Sequence, residues 1–167
     1  MRVAAVVAAG RVTALIVVFV AATGRVDAQP LVYGIAGPAG VAGFFVARAS
    51  ELHVAGGGEF VAAPRLGVGG EFGLFGGSHS LFVLSLNGTV HLGSSSAETV
   101  IPFLTTGYTR FGVGDHDTQF NAWNLAGGFD YWAGRRAGVR VELRDHIRLD
   151  TRGTVQYWSL RGGIVFR

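Results

Sequence analysis

The chain has no cysteine and no lysine, and only 4 of its 167 residues are proline. Without cysteine there is no disulfide framework, no thiolate nucleophile and no thiolate metal site. All 14 basic residues are therefore arginine. They are interleaved with Asp and Glu instead of clustering on one face, which argues against a nucleic-acid partner. Charge is scarce as well, at 15% of residues against 49% hydrophobic. Beyond residue 28 there is no apolar run of the ~20 residues that a spanning helix needs. What is abundant is glycine, 27 residues, with none of the three-residue period that would mark collagen.

The first segment reads as a leader. Arg2 and Arg11 precede a largely apolar, uncharged run at residues 12–23, and Gly24 and Arg25 break it. Val26-Asp27-Ala28 then places small residues at −3 and −1 before Gln29. This is the layout of a secretory signal peptide. We expect cleavage after Ala28, giving a signal peptide at 1–28 and a single mature domain at 29–167. Arg2, Arg11, Arg25 and Asp27 carry +2 of the formal +3, so the mature part is close to neutral.

In the mature part the apolar residues recur with period 2. Over residues 139–148, Val139, Val141, Leu143 and Ile147 alternate with Arg140, Glu142, Arg144, His146 and Arg148. A helix would scatter these charges, whereas a strand gathers them on one side. Asp145 is the exception, a charge on the apolar side. Segments 52–62, 65–75, 82–92, 122–133 and 156–166 alternate in the same way. Segment 100–112 is less clean: Ile101, Phe103 and Phe111 oppose Arg110, yet Leu104 and Tyr108 share the Arg110 face. Segment 31–45 is mostly Gly and Ala, and Pro38 weakens it as a strand.

Eight strands result. Short turns are expected at 62–65, 93–98 and 133–138, and loops at 46–51, 76–79, 114–120 and 149–154. The fold class is therefore all-β, an eight-stranded antiparallel up-and-down barrel.

Alternation alone does not say which face is inside. The polar face holds Glu59, Glu71, Arg110, Asp130, Arg140, Glu142, Arg144 and Arg161, balanced in sign and expected as a lumen charge network. The apolar face carries aromatics near strand ends: Phe82, Phe111, Trp123 and Trp158 toward the loops, and Phe103, Tyr131 and Phe166 toward the turns. Two such belts are expected where rings meet both headgroup zones. The barrel is thus read as transmembrane, apolar outside, its partner the lipid of an outer membrane. A soluble lipocalin-like binding barrel would instead put Leu143, Leu160 and Phe129 inside.

The eight amphipathic segments and the last strand, residues 155–167 (VQYWSLRGGIVFR), resemble the small outer-membrane barrels, both the OmpA transmembrane domain and the porin-family β-barrel domain. The resemblance implies insertion by the barrel-assembly machinery through the C-terminal strand. That family usually ends on an aromatic; here Phe166 is penultimate and Arg167 last.

An interior of this size is just filled by side chains, so a structural, envelope-integrity role is expected, with a small porin-like channel as the alternative. No enzyme activity, metal or cofactor is expected. His79 with Ser78 or Ser80, His91 with 94–96, and His146 with Asp145 lack diagnostic spacing, and His116 between Asp115 and Asp117 reads as a solvated loop.

Overall fold

The structure is a computed structural model and describes residues 30–43, 46–63, 65–76, 80–93, 99–113, 116–151 and 153–167. Residues 1–29, which include the expected signal peptide, and residues 94–98 of the expected turn lie outside that set. Eight strands follow one another: β1 (Pro30–Gly43), β2 (Val46–Ala63), β3 (Leu66–Gly76), β4 (Leu81–His91), β5 (Val100–Val113), β6 (His116–Trp132), β7 (Ala137–Asp150) and β8 (Gly153–Phe166). Each pairs antiparallel with the next, and β1 pairs with β8, so the sheet closes. Closure leaves no edge of unpaired N–H and C=O groups.

The β1–β8 ladder skips Gly37 and Pro38, and proline has no N–H to contribute there. Pro38 nevertheless sits inside β1, in register with Leu52 of β2.

The strands run further than the sequence suggests. Residues 46–51 belong to β2, 116–120 to β6, 149–150 to β7, 153–154 to β8 and 137–138 to β7. The expected loops there are corrected to connections only a few residues long. Polarity misled the sequence reading: these ends are rich in polar residues, yet their backbones remain paired. At the β2–β3 turn Arg65 takes the left-handed conformation, φ 71°, which lets two strands reverse within two residues.

Side chains alternate in and out along every strand. Leu143 is 57% exposed, Leu160 49% and Phe129 40%, while Arg140, Arg144 and Arg161 are at most 2% exposed. The outer wall is apolar and the charges are inside, opposite to the lipocalin-like arrangement. Phe82, Trp123, Tyr131, Trp158 and Phe166 stand on the outer wall; Phe82, Tyr131 and Phe166 lie at strand ends, whereas Trp123, expected near the loop side, lies mid-way along β6.

β5 corrects the sequence reading. Phe103 and Phe111, expected on the lipid wall, point into the lumen and are buried; Arg110, expected in the lumen, points outward. Large side chains lie on both faces of this strand, so its polarity pattern is ambiguous. Hydroxyls settle the phase: Thr109 lies 2.8 Å from Ser85 and Thr105 lies 3.1 Å from Thr89, both inside.

Candidate functional site: the barrel lumen

The lumen is filled in three tiers. The middle tier is built by β3, β7 and β8, whose inward positions supply Glu71, Glu142, Arg144 and Arg161. Arg161 donates both terminal nitrogens to Glu71, at 2.8 and 3.0 Å, and also donates to Glu142. Arg144 donates to Glu142 through Nε at 2.7 Å and lies 3.5 Å from Glu71. Two carboxylates and two guanidiniums thus form a closed square. Tyr33 adds a hydrogen bond to Glu71 at 3.1 Å. Asn87, with its amide oxygen turned to satisfy its neighbours, accepts from Arg144 at 3.2 Å. Fork-to-carboxylate pairing of this kind is the strong form of the interaction, and at these depths each partner needs the other.

The tier toward the chain termini holds a second pair. Arg140 grips Asp130 with two bonds, 2.7 and 2.8 Å. Its guanidinium lies 4.5 Å from the ring centre of Tyr33 and 4.5 Å from that of Phe103. A cation held between two aromatic faces is stabilised by both, and this is why Phe103 belongs inside. His91 meets Glu59 at 2.5 Å. Beneath lies an apolar floor of Leu31, Tyr33, Ile35, Ala55, Trp132 and Val165.

The tier toward the loops is an aromatic plug. His53 stacks on Phe75 at 3.9 Å, and Phe111 stacks on Phe120 at 4.8 Å. Tyr157 covers Phe111 and Phe120, and Arg148 caps Phe120 at 4.5 Å. His146 turns its edge to Phe75 and Phe111.

Glycine makes room for these groups. A Cβ on Gly57 would lie 2.5 Å from the Tyr33 hydroxyl, and one on Gly73 would lie 2.7 Å from His53 Nε2. Their strands therefore carry Gly opposite the bulkiest inward side chains.

Seven of the eight charges expected in the lumen thus stand there: Glu59, Glu71, Asp130, Arg140, Glu142, Arg144 and Arg161. The sequence reading missed the aromatic plug and Tyr33. The available signal was position: Phe75, Phe111 and Tyr157 share parity with inward polar residues of their own strands. Of the His–Ser and His–Asp pairs weighed earlier, the described residues decide only His146 with Asp145, which is not assembled. His91 faces Glu59, and His146 and Asp145 point to opposite sides of the wall. His79, residues 94–96 and Asp115 lie outside the described residues, as do the side chains of His116 and Asp117.

No protein-family model and no curated protein matches the sequence. Solved structures do match. Neisserial surface protein A superposes with a TM-score of 0.68 at 13% identity, over 84% of this chain and 99% of that one. The N-terminal β-barrel domain of OprF from Pseudomonas aeruginosa gives 0.59 at 16%, over 84% and 98%. The outer membrane protein OprG from the same organism gives 0.54 at 12%, over 82% and 94%. These identities speak for architecture alone, and on that architecture they agree: the chain has the fold of the small eight-stranded outer-membrane β-barrels.

Proposed function

We propose that this chain is exported, loses residues 1–28, and serves in an outer membrane as a sealed structural barrel that supports envelope integrity. The observation that carries this reading is the filled lumen: an aromatic plug, a closed square of ion pairs and an apolar floor lie in series. The apolar outer wall supports placement in lipid, since large hydrophobic side chains in water are costly. Insertion through the β8 strand by the barrel-assembly machinery belongs to the same proposal.

Purified protein in a planar bilayer is expected to show no steady conductance at moderate voltage. Stable open steps from the unmodified protein would replace this reading with the small channel. Folded protein is expected to migrate differently in detergent gels when boiled and unboiled, and the mature N-terminus to be Gln29. Full solubility without detergent would refute the membrane placement. Deleting the gene in its host is expected to raise sensitivity to detergents, with recovery when the chain is restored.

A further inference from the structure

Among the described residues, two charged side chains stand on the outer wall between its rims, Arg110 on β5 and Asp145 on β7. Among the described residues, neither meets an opposite charge. Arg110 donates to Gln119, a neutral neighbour on β6. Asp145 Oδ1 is shielded from solvent and has no hydrogen-bond partner. Ionisable groups on a lipid-facing wall are unfavourable and call for a partner.

The register places the two at similar depth. Asp145 pairs with Leu125 of β6, and Leu125 pairs with Thr106 of β5, four residues below Arg110. Rows across this barrel climb toward the loop side from β1 to β8: the row through Ile35, in mid-β1, reaches Phe111 and Phe120 near the strand tops. With strands ~4.8 Å apart and tilted ~40°, two steps along the row climb ~6 Å. Four residues along β5 climb ~10 Å, so Arg110 and Asp145 differ in depth by only ~4 Å. Between them β6 presents Trp123 and Leu125, each 57% exposed.

We infer that this β5–β6–β7 wall is a dimer interface, occupied by a second copy of the chain. A two-fold axis along the membrane normal, in front of β6, brings β5 of one copy against β7 of the other. Arg110 then meets the partner's Asp145, and the same pair forms twice, as a two-fold interface requires. The wall is complementary to itself in sign, position and depth, which a lipid tail could not exploit. The inference rests on the wall facing lipid, and its test is separate from the membrane-placement tests above.

The absence of native cysteine makes that test clean. Leu125→Cys places a thiol on the axis, and Val54→Cys places one on β2, the opposite wall. In membranes, a short bis-maleimide is expected to join Leu125→Cys into dimers and leave Val54→Cys monomeric. In the Leu125→Cys background, Arg110→Asp or Asp145→Arg is expected to lower the dimer yield several-fold, and the two reversals together to restore it. Boiled and unboiled migration verifies folding of each variant. No Leu125→Cys dimer, equal yields from both cysteines, or no recovery in the double reversal would overturn the inference. So would a monomer whose Arg110 holds a lipid phosphate instead.

Discussion

Arg161→Met is expected to lower the unfolding free energy by about 3–5 kcal/mol, the range for stripping one partner from a buried ion pair. Arg161 bridges Glu71 and Glu142, and all three are about 1% exposed. Its removal leaves two carboxylates facing a single guanidinium, Arg144, all buried away from bulk solvent. The companion variant is Glu142→Leu with Arg161→Met. That pair of changes leaves Glu71 with Arg144, one charge of each sign, 3.5 Å apart. The double variant is therefore expected to be more stable than Arg161→Met alone, a departure from additivity that contacting residues show. Urea unfolding of the barrel in lipid vesicles measures both. A loss below about 1 kcal/mol for the single variant would mean that the square is hydrated like a surface pair, and the sealed-lumen reading would fail with it.

Gly163→Val is expected to abolish the closed barrel. The inward face of β8 lies against β1 so closely that a Cβ on Gly163 would overlap the Gly34 carbonyl oxygen and come within 2.6 Å of Ile35 Cα. These are backbone atoms held in the closing ladder, and a rotamer change cannot relieve them. Overpacking a core by side-chain contact costs about 1–3 kcal/mol; displacing a ladder also unpairs backbone groups in hydrocarbon, several kcal/mol each. The unboiled band should disappear and the chain should become protease-sensitive. Gly34→Ala is the control. Gly34 lies on the same seam, a Cβ there meets nothing within 4 Å, and that variant should fold normally. If Gly163→Val folds as well, the seam is looser than the geometry requires.

The strand count and most of the wall were legible in the sequence because charge and grease alternate in β7, broken only at Asp145, and nearly as well in β2, β3, β4, β6 and β8. Polarity failed where both faces carry large side chains. In β5 the inward Phe103 has a cation to cover and Phe111 a plug to complete, and neither need shows in a local window. The plug was hidden for a related reason. Apolar residues were assigned to lipid, yet the ends of a narrow lumen are also closed by rings. The central square was foreseeable as a set of charges, but its pairing depends on the register of β7 with β8 and on β3 facing them across the lumen, which alternation does not encode. Connection lengths were overestimated because polar strand ends look like loops.

The alternation of side chains across the wall also governs how the chain reaches its destination. Under the proposed export, residues 29–167 carry runs of only a few apolar residues between glycines and polar groups, far short of the ~20 that a translocation pore would release sideways into the first bilayer it meets. Its affinity for lipid emerges only on folding, when one set of side chains is gathered outward and the other is locked away. On that proposal the polypeptide crosses one membrane without lodging in it and settles in another.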